Sequence, residues 1–195
     1  MSWKPTVREA WSLLDEAGVP AWVLRHAGCV RDLAVAMARR APDGTADPAL
    51  VEVGAILHDV GRAVTQDVRH ASLGSAWLAD RDVEPAIVQV VDRHTGAGID
   101  AAGAAALGLP VRDYTPRSLE ERIVAHADNL YSGDKRLDLH QVQAKYVAKG
   151  LEDAGARILE LHRALCDELG VDLERLARLT GLEGPTDGAT AASDP

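Results

Sequence analysis

Apolar residues recur along almost the whole chain at helical intervals, and no stretch alternates apolar and polar in the strict period of two that marks a half-buried strand. An all-α domain is the expected fold. Helices are predicted over 6–17, 21–40, 48–59, 70–80, 84–94, 118–132, 150–169 and 172–180. Breakers sit between them. Gly18 and Pro20 divide the first pair, Pro42, Gly44 and Pro48 the second, and Pro85 falls at a first-turn position where a missing N–H costs nothing. The stretch 95–117 is rich in small residues and closed by Pro116, so a partly helical loop is expected there. A single helical domain over 1–182 is expected. The segment 183–195, EGPTDGATAASDP, has too little apolar area to pack and reads as a disordered tail.

With 195 residues, 47% of them hydrophobic, the chain can bury a core of its own. It has no apolar run of the roughly 18 residues that a membrane helix needs, and its first twenty residues carry Lys4, Arg8, Glu9, Asp15 and Glu16 instead of a signal segment. A cytoplasmic protein with no membrane partner is expected. The formal charge of −9 argues against an extended nucleic-acid surface, though a small anionic substrate is still compatible if a metal reverses the local field. Cys29 and Cys166 lie in apolar-patterned stretches and are expected to be small core residues.

The informative polar residues are those that fall on apolar stripes. His26 is in line with Val30, Leu33 and Met37, and His94 completes the series Ile87, Val90, Val91. The segment ALVEVGAIL runs straight into His58 and Asp59, where an unpaired buried carboxylate would cost several kcal/mol. The helix dipole also disfavours an acid at that end, so a cation should await Asp59. His70 opens the next helix, and Asp128 stands in the charge-poor run IVAHADNL. Each histidine alone has a packing explanation. Jointly, imidazoles and carboxylates aimed inward suit iron, manganese, zinc or a similar divalent ion. His126 lies about 200° around the helix from Asp128 and so cannot share its face. It is assigned to packing or to support of the ligands. His140 and His162 read as ordinary positions.

An upstream His26, the block HDVGR at 58–62 and Asp128 in HADNL together resemble the HD-domain superfamily of metal-dependent phosphohydrolases over about residues 22–132. Val60 is a conservative departure from the common HDIG form. His70 in RHASLGS and His94 in DRHTGAG look like the extra pair of the two-metal branch, which includes symmetrical dinucleoside tetraphosphatases and a smaller group of diiron oxygenases. The arrangement looks most like small stand-alone HDIG-type proteins common in archaea. No GYP motif follows the His–Asp block, which counts against the cyclic-dinucleotide phosphodiesterases named for it.

The resemblance implies an HD-type helical bundle with His26, His58, Asp59 and Asp128 on one divalent ion and His70, His94 and the second oxygen of Asp59 on another. Two such ions, iron, manganese or another transition metal, would share a hydroxide that attacks a phosphoryl group of a small phosphorylated metabolite, a nucleotide or dinucleotide. The alternative is a diiron oxygenase that uses the same ligands on a phosphonate- or polyol-like substrate. Arg62, four residues after His58, is the leading candidate for binding substrate phosphate through its planar fork, against the alternative of an exposed residue past a helix end. Arg93, Lys135 and Arg136 are weaker candidates, and Tyr114 is a candidate for stacking on a base.

Overall fold

The computed structural model describes residues 2–180, so the expected tail and the last residues of the expected domain lie outside the described residues. Ten α-helices form among them: α1 (Val7–Ala17), α2 (Ala21–Ala38), α3 (Pro48–Leu57), α4 (His70–Ala79), α5 (Pro85–Arg93), α6 (Ala101–Ala106), α7 (Leu119–Asn129), α8 (Leu139–Val147), α9 (Glu152–Leu169) and α10 (Leu173–Thr180). A 3₁₀ turn spans Val60–Ala63, and two short antiparallel strands, β1 (Tyr131–Ser132) and β2 (Lys135–Arg136), form a hairpin. The fold is all-α, as the periodicity implies.

Local chemistry explains most boundaries. Thr6 and Glu9 close a capping box on α1, Asp47 caps α3 ahead of Pro48, and Ser118 caps α7. Gly18 and Gly170 end α1 and α9 in the left-handed conformation. The expected helix 48–59 stops at Leu57, leaving His58 as its cap and Asp59 outside it at φ −101° and ψ 16°. Similarly, 118–132 stops at Asn129 because the chain turns into the hairpin. Helix α8 was not expected: Val142 is its only fully buried residue, too little for an apolar stripe, and a second capping box between Asp138 and Gln141 starts it instead. Neither cysteine is fully buried, contrary to expectation, although both pack against the core edge.

Helix α3 is the centre of the bundle. Leu50, Val51, Val53, Gly54, Ala55, Ile56 and Leu57 are all buried, which explains why its sequence shows little amphipathic pattern. It packs among α1, α2, α5 and α7. Two glycine contacts set the spacing that matters for the site. A Cβ on Gly54 would lie 2.8 Å from Val90 Cγ1, so α3 and α5 approach closely. A Cβ on Gly61 would collide with the carbonyl of His70 and lie 2.8 Å from the Gly74 nitrogen, so the turn after Asp59 lies directly on α4.

Gly61→Ala should therefore destabilise the fold by about 3 kcal/mol, because backbone on both sides leaves no side chain to yield. Denaturant unfolding checks this, and Gly18→Ala, with open space around its Cβ but a φ of 72°, should cost only about 1 kcal/mol.

Candidate metal centre

Six side chains from five helices and one turn converge at the bundle's centre. His26 comes from the middle of α2, His58 caps α3, Asp59 follows it, His70 begins α4, His94 caps α5, and Asp128 is the penultimate residue of α7. Five are buried: His26, His58, Asp59, His70 and His94 are at most 5% exposed. Asp128 is more open, with 24% of its side chain exposed.

Each of the four imidazoles is oriented by main chain. His58 Nδ1 donates to the carbonyl of Ala55, His70 Nδ1 to Asp67, His94 Nδ1 to Val91 and His26 Nδ1 to Gly133, all at 2.7 Å. A carbonyl can only accept, so the proton sits on Nδ1 and Nε2 is left to face the interior. Three of these bonds reach back three residues, so one turn of chain both ends or starts a helix and aims a ring. The fourth crosses from α2 to the hairpin turn.

The Nε2 atoms meet. His70 and His94 approach to 3.0 Å and His26 and His58 to 3.2 Å. The Asp59 carboxylate lies between the pairs, with Oδ1 3.1 Å from His70 Nε2 and 3.6 Å from His94 Nε2. Its Oδ2 is 3.7 Å from His58 Nε2 and 3.8 Å from His26 Nε2. Asp128 Oδ1 is 2.9 Å from His26 Nε2 and 3.7 Å from His58 Nε2. Three overlapping trios, His26–His58–Asp59, His58–His94–Asp128 and Asp59–His70–His94, have donor atoms close enough to share an ion. Facing lone pairs beside two carboxylates repel unless protons or cations lie among them, and all four Nδ1 atoms are already committed. The donor set therefore fits divalent metal.

Protonation follows the same logic. Burial pushes the His26 imidazolium down, but its hydrogen bond to Asp128 and the charges of Asp128 and Asp59 reverse this and bring its pKa up to about 9. Burial dominates at His58, whose pKa falls to about 4 despite Asp59 and Asp128. For His94, burial also opposes charge, but the hydrogen bond to Asp59 wins and the pKa rises. Burial would raise both carboxylates, yet the surrounding histidines hold Asp59 and Asp128 below the usual range.

The centre opens into a cavity of about 650 Å³ whose walls include Trp22, Tyr131, Tyr146 and Ile99 together with His26, Asp59, His70, His94 and Asp128. Arg62 lines it too, but its Nε donates to Asp59 Oδ1 at 3.1 Å and Nη1 to the Gln66 carbonyl, so the fork expected to grip phosphate is half spent on Asp59. The structure does not bring the other candidates here. Arg93 is tied to buried Glu121 through Nη1, Lys135 and Arg136 stand exposed on β2 outside this cavity, and Tyr114 is 3% exposed in a small separate cluster with Ala104 and Leu109. Sequence reading missed Lys145 of α8, Lys149 in the turn after it and Arg157 of α9, which do line the cavity. Two lysines four apart, at 145 and 149, were the available signal.

His126 turns away from the centre, with Nε2 2.9 Å from His162 Nδ1. His162, an ordinary helix position by sequence, is only 8% exposed. Burial, reinforced by His162, lowers the His126 pKa to about 3, so this pair is uncharged packing. His140 is exposed.

Residues 23–133 match the family model described as HD domain. The chain is 42% identical over 172 residues to a protein of Thermoplasma volcanium named tRNA (cytidine(56)-2′-O)-methyltransferase, covering 88% of this chain and 50% of that one. A protein of the same name from Picrophilus torridus is 44% identical over 174 residues, covering 89% and 50%. The chain thus spans about half the length of these two relatives. An uncharacterized protein of Methanocaldococcus jannaschii is 39% identical over 126 residues, which is 64% of this chain and 75% of the other. Among solved structures, the HD domain of the L. monocytogenes phosphodiesterase PgpH in complex with cyclic-di-AMP superposes with a TM-score of 0.52 at 16% identity, over 91% of this chain and 100% of that chain. The resemblance in structure is one of fold.

Because His26 stays protonated up to about pH 9 and a ligand nitrogen must be free, binding of manganese to the metal-free protein at about pH 8 should release a proton from it. Apparent affinity should rise with pH toward that value and flatten above it. Calorimetry in two buffers of different ionisation enthalpy counts the protons. His26→Gln should lower the count by about one, and an unchanged count in a folded variant excludes this assignment.

Proposed function

The chain belongs to the HD-domain family, and from that premise we propose that it is a metal-dependent phosphohydrolase acting on a small phosphorylated metabolite, a nucleotide or dinucleotide. The observation that carries the reading is the position of Asp59, with one carboxylate oxygen toward His26 and His58 and the other toward His70 and His94. In this reading His26, His58, Asp59 and Asp128 hold one divalent ion, and His70, His94 and Asp59 hold a second. Bound there, the ions supply an activated water and offset charge on the phosphoryl oxygens.

The chain's own groups account for the rest. Asp59 is held in place by Arg62 on the same oxygen that faces His70. The backbone carbonyls fix the four rings, so the ligand set is oriented before anything binds. No serine or cysteine nucleophile is required. The cavity is within the size range of small-molecule sites and gives the reacting end of a substrate access to Asp59 and Asp128 while the apolar wall meets its organic part. Trp22, 38% exposed and four residues before His26, is placed to cover a base. The methyltransferase name borne by two relatives describes proteins twice as long as the matched region. A buried cluster of imidazoles and carboxylates supports hydrolysis in this part.

The decisive experiment compares the parent with the double variant His70→Gln, His94→Gln after identical anaerobic loading with manganese, iron or cobalt, and reads phosphate release from a panel of nucleotides and sugar phosphates. The parent should carry about two ions and the variant about one, with turnover lower by several orders of magnitude. Asp59→Ala should abolish turnover. Equal stoichiometry and rate in parent and double variant would overturn the two-ion reading, and oxygen uptake in place of phosphate release would transfer the site to oxygenase chemistry.

A further inference from the structure

Lys145 on α8, Lys149 just past its end and Arg157 on α9 stand on the wall of the cavity that also contains Asp59 and Asp128. None of the three has an ion-pair partner among the described residues, whereas Arg62, the other cation on that wall, is bound to Asp59. Lys145 and Lys149, four residues apart across the end of α8, carry like charges that repel. The fold nevertheless brings them to a third cation: Gly155 of α9 lies where a Cβ would be 3.2 Å from Tyr146 Cβ, so the two helices pack closely at that point. Lys145 is half-buried there. In a chain of net charge −9, a group of unpaired cations lining one cavity is a local positive field that favours an anion there.

We propose that Lys145, Lys149 and Arg157 form a subsite for a second phosphate group, so that the substrate is a nucleoside polyphosphate or dinucleoside polyphosphate and not a simple monoester. The inference names the substrate class of the site described above and so rests on the phosphohydrolase reading. One phosphoryl group would sit at the His/Asp centre. The phosphate chain would run along the wall toward α8 and α9, where ammonium and guanidinium groups would donate charge-assisted hydrogen bonds. Half-buried Lys145 and exposed Lys149 and Arg157 line one cavity of about 650 Å³, which suits a compact ligand better than an extended RNA backbone.

The test is calorimetric binding to the manganese-loaded protein, whose His/Asp centre can hold the first phosphoryl group, with α,β-methylene-ADP as the two-phosphate probe and AMP, as its non-hydrolysable 5′-phosphonate analogue, as the one-phosphate probe. In the triple variant Lys145→Gln, Lys149→Gln, Arg157→Gln the two-phosphate probe should bind at least about tenfold more weakly, with little change for AMP. Lys149→Gln alone, at an exposed position that cannot unfold the chain, should give part of the loss. Equal affinity of the parent and these variants for α,β-methylene-ADP would overturn the subsite, as would equal weakening of AMP. Tight binding of a short RNA with the same dependence on these residues, and no binding of the nucleotide, would overturn it in favour of a nucleic-acid contact. In the manganese-loaded enzyme the triple variant should raise KM for a nucleoside polyphosphate about tenfold or more and leave p-nitrophenyl phosphate turnover unchanged. A parent that releases phosphate from neither compound defeats the phosphohydrolase reading itself, while the calorimetry still decides the subsite.

Discussion

The structure depends on a carboxylate with nowhere to go. Asp59 is 3% exposed at the foot of α3, whose residues are mostly buried and apolar, and an isolated ionised group there would cost far more than a domain of this size can spare. Everything around it is arranged to meet that charge. His70, His94 and Arg62 face one oxygen and His26 and His58 the other. Removing any one partner leaves a buried charge less compensated, which couples the chemistry of the site to the integrity of the core.

The rings that meet Asp59 owe their orientation to the backbone. Three of the four imidazoles donate to a carbonyl three residues earlier, a device that needs only a helix start or end at the right place. Side-chain acceptors would have required further buried polar residues, each with partners of its own. The arrangement is therefore compact, and it makes the precise end of α3 and α5 and the start of α4 matter more than the sequence of their exposed faces.

The sequence was legible where periodicity and burial coincide. His26 and His94 could be placed because Val30, Leu33 and Met37, and Ile87, Val90 and Val91, mark the buried faces of their helices. Asp59 stood out because no solvated explanation suited an acid after an apolar run. The cavity wall could not be read in the same way. Helix α8 has one fully buried residue, so its lysines looked like any exposed charges, and the closeness of α8 to α9 depends on a tertiary contact at Gly155 that no local pattern announces. Arg93 shows the converse failure. It neighbours His94 in sequence, but the helical turn carries it to Glu121. His162 was passed over because its partner, His126, lies 36 positions away.

The bond from His26 to the Gly133 carbonyl joins positions 107 apart in the chain. During synthesis, the first histidine of the cluster leaves the ribosome long before the hairpin that orients it, and Asp128 follows His26 by 102 positions. A growing chain can form α2 and α3 early, since helices close locally and fast. It cannot present the complete donor set until the hairpin has emerged, several seconds later at ordinary rates of about 5–20 residues per second. The complete donor set is thus timed by topology, since His26 gains its orienting carbonyl and its Asp128 neighbour only after most of the bundle exists.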